Sequence, residues 1–329
     1  VEALRFYAQF ADVVVLAREL NLNQVKDIYE TILRDGIKGP SGELVRIEMF
    51  AHGALCMAIS GKCYLSLQTY GASANRGACY QLCRRGYEVT DLETGNRLNI
   101  DNKYIMSPKD LCTIEFMDKI IDAGVKVFKI EGRARSAEYV KRCAQCYRQA
   151  ADAVCDGTYT PEFAASLKAE LSEVFNRGFW DGYYQGARLG EWSAVYGSSA
   201  TRKKVYCGKV TNWFDRIGVA EIAVESVPLK VGAHCMATGA TTGVIEFTVN
   251  DLRVALKPAE EAVKGVRCSV AIVPENPGVR DGEVEMTPAP GDVSAGDSVE
   301  SRAGASVNAE GKIPVRLRRG DKIYIWEDC

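Results

Sequence analysis

Histidine is scarce in this 329-residue chain, which has two, His52 and His234. No H-E-x-x-H pair occurs, which excludes a common helical zinc-protease arrangement. No G-x-S-x-G turn occurs to expose a nucleophilic serine. No apolar run reaches the ~18–20 residues that span a bilayer, so no membrane partner is expected. Net charge is −2, which gives no general support for nucleic-acid binding; such a partner needs a local basic patch. No secretory leader pattern opens the sequence. With twelve cysteines and no leader, a reducing, cytoplasmic location is expected. A disulfide framework is not expected, because a chain this long has core enough without staples.

What the chain has is a concentration of thiols. Cys56, Cys63, Cys79 and Cys83 fall in one stretch, HGALCMAISGKCYLSLQTYGASANRGACYQLCRR, that opens at His52. Between them lie Ser60, Gly61, Gly71, Ser73, Asn75 and Gly77, residues that favour irregular backbone. A loop of this kind lets four thiolates converge on a soft metal centre. The wide spacing between Cys56 and Cys63 suits an iron–sulfur cluster better than zinc, whose cysteines usually come in tighter pairs. The alternative is that these cysteines are small buried hydrophobes. Cys143 and Cys146 share C-x-x-C spacing but read as ordinary residues of a helix.

The first 200 residues alternate strands and helices, the pattern of a parallel α/β sheet. A buried strand is expected over 11–17, then a helix capped by Asn23. Further strands are expected at 45–50, 104–106 and 125–130. A helix with proline at its first position is expected from Ser107 to about Ala123, and others over 136–155 and 160–175. Ligands gather at the carboxyl ends of such strands. Glu48 and His52 end one, and Lys129, Glu131 and Arg133 end another. There Arg133 can hold a carboxylate or phosphate, Lys129 supplies a point charge, and Glu131 can move a proton. For Glu131 a buried ion pair is the alternative, and for His52 a core hydrogen bond. Arg76, Arg84 and Arg85 flank the cysteines, with Tyr70, Tyr80 and Tyr87 as faces for an unstacked base. Residues 201–329 carry short strands with turn signals, the texture of a small antiparallel β-barrel. Residues 274–313, rich in Pro, Gly, Ser, Ala and acids, interrupt it as a flexible insertion.

The run Glu48 to Cys56 (EMFAHGALC), followed by SGKCYLS from Ser60, resembles the signature of the U32 peptidase family, the collagenase-like group. KIEGR ending at Arg133, with Ser136 and Glu138 to Val140, resembles a second block, and FNRGF from Phe175 a third. The resemblance implies a TIM-like barrel over residues 1–200, here partial because the earlier strands are missing. An upstream segment or a partner is expected to supply them. It also implies a [4Fe-4S] cluster on Cys56, Cys63, Cys79 and Cys83. Several members are oxygen-independent hydroxylases of tRNA, rRNA or a ubiquinone precursor. The implied activity is 5-hydroxyuridine formation in tRNA, with prephenate as co-substrate. A collagenase-like peptidase is the alternative; a Cys56–His52 pair could serve it, although no oxyanion hole is evident. A non-catalytic subunit that completes another chain's barrel, a second copy or a paralogue, is a third reading.

Overall fold

The structure is a computed structural model, and it describes residues 1–97, 106–133, 135–187, 190–194, 197–274 and 316–329. The strand expected at 104–106 and the insertion expected at 274–313 lie outside those residues except at their ends. The chain divides into two compact units, residues 1–203 with Cys329, and 204–328.

The first unit opens with α1 (Glu2–Tyr7), β1 (Val13–Val15) and α2 (Leu22–Asp35). Asn21, not Asn23, caps α2: it accepts from the Gln24 N–H while the Gln24 side chain accepts from Asn21 N–H. This reciprocal pair satisfies two of the helix's orphan donors. Next come β2 (Arg46–Ala54), α3 (Tyr64–Tyr70), β3 (Asp110–Cys112) and α4 (Met117–Asp122). β4 (Val125–Glu131), α5 (Ala137–Cys155), α6 (Pro161–Ser172) and β5 (Phe179–Trp180) complete the unit.

The expected purely parallel sheet is instead mixed. β1 and β4 run parallel to β2, but β3 pairs antiparallel with β2's last residues and parallel with β5. The connection from β2 to β3 is the cysteine stretch, not a single crossover helix, and it returns the chain in the opposite sense. β1 is an edge strand rather than one buried on both faces, with Val15 43% exposed. The helix expected from Ser107 is absent at its start. Pro108 bridges Trp192, and Asp110, Leu111 and Cys112 are all buried, which suits a strand covered on both faces. A 3-10 turn over Ile114–Phe116 comes first, and α-helix begins at Met117. β2 runs to Ala54, past the expected end at Phe50. One core joins this sheet to α2, α4, α5 and α6, including Ile32, Met49, Ile120, Tyr147 and Leu167.

The second unit holds β6 (Arg202–Phe214), β7 (Val219–Val224), β8 (Leu229–Lys230), β9 (His234–Gly239) and β10 (Gly243–Thr248). β11 (Leu252–Val254), β12 (Lys257–Pro258), β13 (Glu261–Ala262), β14 (Arg267–Ala271) and β15 (Lys322–Asp328) follow. Eight of them form one antiparallel sheet, ordered β10-β9-β15-β6-β7-β14-β11-β12, while β8 pairs with β13. Its core includes Val210, Ile222, Phe247, Val270 and Ile323. Neither sheet closes on itself among the described residues. The first unit is thus mixed α/β, and the second is built on a large antiparallel sheet. Alternation and turn spacing set strand character, but closure depends on whether the end strands pair.

Candidate functional site

The site grows from the ends of β2 and β4. Glu48 on β2 accepts from Lys129 Nζ on β4 at 2.7 Å, and that ammonium also lies 5.5 Å from the Phe50 ring centroid. By the two-residue period of a strand, His52 should share the face of Glu48 and Phe50. It does not, because the pairing with β4 skips a residue between Phe50 and His52. Bulges of this kind re-aim side chains. The carbonyl of the extra residue, Ala51, accepts from the hydroxyls of Thr113 and Tyr147. His52 therefore turns into the core, 1% exposed, with Nδ1 3.3 Å from the Tyr147 hydroxyl. Burial, and secondarily the positive charge of Arg135, push its pKa from 6.5 down to about 3, so the ring is neutral. Beyond it, Gly53 lets the two strands close up. A Cβ there would stand 2.6 Å from the Glu131 carbonyl oxygen, and its φ of +108° favours glycine.

Three of the four cysteines are drawn to one cavity. Cys56, Cys79 and Cys83 line a cavity of about 660 Å³. Cys63 caps α3, its sulfur accepting from the Ser66 N–H at 3.5 Å. Burial raises the Cys63 thiol, but the hydrogen bonds from Ser66 and Leu65 outweigh it and leave the pKa below its ordinary value. Cys83 is shifted up, first by burial; Arg84 opposes that shift, and the fields of Cys56, Cys79 and Cys63 add to it. Among the described residues, no three His, Cys, Asp or Glu side chains form a group ready to hold a metal ion. A single-ion site needs sulfurs about 2.3 Å from one centre. A cluster of several irons is a larger body that takes one thiolate per iron. The donor set suits the second: four thiols of one loop, three of them on one cavity wall. The C-x-x-C pair sits in the core of α5, where burial drives Cys146 up to about 12 and Cys143 higher still, so both stay protonated.

Four arginines also line the cavity. Arg18, Arg84, Arg133 and Arg135 line it against two carboxylates, Glu19 and Glu131. Arg18 lies over the Phe50 ring at 4.0 Å and donates to the Ala54 carbonyl. Arg133 is exposed, and Glu131 accepts from its backbone N–H at 3.1 Å. Arg135 is stacked on Phe175 at 4.0 Å, and its side chain is 10% exposed. Asp110, 1% exposed, stands 3.7 Å from Arg135 and 3.3 Å from Arg177. Asp110 Oδ2 and Arg135 Nε lack a hydrogen-bond partner among the described residues. Burial, reinforced by the charges of Arg84 and Arg135, pulls Arg177 below its ordinary pKa although Asp110 opposes this. The cavity lining therefore carries more cations than anions. That imbalance favours an oxyanion guest.

Of the expected site residues, the fold gathers Cys56, Cys79, Cys83, Glu131 and Arg133 on the cavity, with Cys63 beside them. His52, Glu48 and Lys129 do not line it. Arg18 and Asp110 escaped the sequence reading, and Arg177 entered it only as part of the FNRGF block. Arg18 follows β1, a place the rule on strand ends marks, whereas nothing in the pattern distinguishes Asp110. Outside the cavity, Tyr70 and Tyr80 are exposed with ring centroids 4.8 Å apart, and Arg85 donates to the Tyr70 hydroxyl. Tyr87 is committed elsewhere, donating to the Leu82 carbonyl.

Comparison with known proteins gives this geometry a context. The profile of Peptidase family U32 matches residues 1–194. A protein named collagenase from Porphyromonas gingivalis is 60% identical over 271 residues, covering 82% of this chain and 66% of that protein. A 23S rRNA 5-hydroxycytidine synthase of Escherichia coli is 38% identical over 187 residues, 55% of this chain and 26% of that protein. A tRNA hydroxylation protein of Bacillus subtilis is 31% identical over 218 residues, 64% of this chain and 49% of that protein. The chain spans no more than about two thirds of the length of these three relatives.

Proposed function

The chain belongs to peptidase family U32, and from that premise we propose that it works as an oxygen-independent hydroxylase acting on uridine in tRNA. Cys56, Cys63, Cys79 and Cys83 would hold a [4Fe-4S] cluster, which when bound supplies one-electron redox chemistry. The observation that supports this reading is that three of the four thiols, Cys56, Cys79 and Cys83, line one cavity together with Arg18, Arg84, Arg133 and Arg135. Arg18, Arg133 and Arg135 bind and orient carboxylates there. Prephenate, a dicarboxylate, is a co-substrate of the right charge, and the cavity is of small-molecule size. Glu131 stands beside Arg133 to hold or move a proton. The exposed Tyr70–Tyr80 pair with Arg85 offers a stacking platform for an unpaired base. Relatives named for tRNA and rRNA hydroxylation support the reaction class.

Protein purified without oxygen is expected to be brown and to carry about four irons and four sulfides per chain, and the double variant Cys79→Ser, Cys83→Ser to be colourless. With prephenate and unmodified tRNA, the wild type should add one oxygen to a uridine, read by nucleoside mass spectrometry. A wild type without iron sinks the cluster and with it this chemistry.

The second reading is a collagenase-like peptidase, favoured by the name of the 60% identical relative. Against it stands the position of His52, buried and turned towards Tyr147 rather than lining the cavity with Cys56. Gelatin cleavage that survives gel filtration and is abolished by Cys56→Ala would establish it.

A further inference from the structure

The cysteine stretch belongs to the long connection from the end of β2 to the start of β3, and apart from α3 its described residues are largely irregular. An untied loop of that length would hold its thiols at widely varying separations. One side chain ties it. Arg84 Nη2 donates to the Leu55 carbonyl at 2.8 Å, while Nη1 donates to the Pro108 carbonyl at 2.5 Å and the Ser107 hydroxyl at 3.1 Å. Leu55 directly follows β2 and Pro108 comes just before β3, so a single guanidinium from within the stretch grips both of its ends. All three acceptor residues are buried, which shields these bonds from water. The Leu82 carbonyl two residues earlier is held by Tyr87. Cys56 is the residue after Leu55, and Cys83 is the residue before Arg84. Each of these two thiols is therefore one residue from the knot.

We propose that Arg84 is the positioning residue of the cysteine loop: by joining Leu55 to Ser107 and Pro108, it holds Cys56 and Cys83 side by side on the cavity wall. This rests on the preceding reading only for what the thiols hold; the clamp itself is a statement about the metal-free chain. A planar fork with several donors can serve acceptors on both sides of the loop at once, whereas a lysine offers one point. Conservative replacement by lysine should therefore fail although it keeps the charge.

The test uses the full chain, freed of metal by a chelator and kept reduced. Wild type, Arg84→Ala and Arg84→Lys are treated with dibromobimane, which joins only neighbouring thiols, and the Cys56–Cys83 product is quantified by peptide mass spectrometry. The wild type should give the product. Arg84→Ala and Arg84→Lys should each lose it about tenfold, the population change expected when hydrogen bonds from a charged donor are removed. Adding guanidinium at non-denaturing concentration to Arg84→Ala should restore most of the yield, which relief of a general folding defect would not do. Wild-type yield in Arg84→Ala, or loss with no recovery on adding guanidinium, overturns the proposal. If Arg84→Ala loses its near-ultraviolet circular dichroism, Ser107→Ala decides instead: a reduced yield in a folded protein supports the clamp, and an unchanged yield overturns it. Iron in the anaerobically purified proteins separates the two readings. An iron-free wild type whose cross-link depends on Arg84 sinks the cluster and keeps the clamp. Full iron and full cross-linking in Arg84→Ala sink the clamp and keep the cluster.

Discussion

Asp110 sits between two arginines with 1% of its surface exposed, and it is the carboxylate nearest both guanidinium groups. Removing its charge leaves two cations uncompensated in a pocket already rich in positive charge. Asp110→Asn should therefore cost about 3 kcal/mol of stability, measured by urea unfolding, the scale for breaking a buried ion pair from one side. His52 makes a different prediction. Between its ordinary pKa of 6.5 and the folded value of about 3, the unfolded chain binds a proton that the folded chain refuses. The stability His52 contributes is complete above pH 6.5 and is lost as pH falls towards 3, by at most ~1.4 kcal/mol per pH unit. Urea midpoints at pH 7, 6 and 5 should fall more steeply for wild type than for His52→Phe; parallel lines would show that His52 is not the group responsible.

At the scale of elements, the reciprocal Asn21–Gln24 cap fixes where α2 starts. Asn21→Ala should lower the unfolding free energy by about 1 kcal/mol without altering the site, as loss of a helix cap typically does. Gly53 has a heavier duty, because the backbone of β4 lies where its Cβ would be. Gly53→Ala should push β2 from β4 at the cavity rim, destabilising by more than the ~1 kcal/mol of a simple glycine replacement. Its first sign should be faster alkylation of Cys56, whose strand end would loosen. Equal alkylation rates in wild type and variant would place the strain elsewhere. The bulge at Ala51 shows what a strand pattern leaves open. Residues 48, 50 and 52 read as one face, yet one extra residue, held through its carbonyl by Thr113 and Tyr147, moves His52 to the other. No local sequence feature announces a bulge whose partners lie about sixty and ninety residues away.

Two units, each with its own core, give the whole molecule more than one cooperative block. Calorimetry should resolve two transitions. If the proposed cluster is present, a chelator added to protein purified without oxygen should lower the one belonging to residues 1–203 and leave the other in place. A single transition that shifts as a whole would show that the blocks are coupled. The change from helix-and-strand alternation to short strands near residue 203 is read from side-chain periodicity, which is local. The order of the strands was not legible: among the described residues the large sheet runs from β10 to β12 with β15 between β9 and β6, and pairing between distant strands is a property of the fold.

The sequence by itself determined the chemistry available here. It placed four thiols in one flexible stretch, and carboxylates and cations at the ends of strands, because residue type, spacing and turn preference act over a few residues. Tertiary structure decided which of these groups meet. It turned His52 into the core and set Asp110 between Arg135 and Arg177. It also stretched Arg84 across both ends of the cysteine loop. Those outcomes depend on register, burial and hydrogen bonds between residues far apart in the chain, which are settled only when the whole core packs.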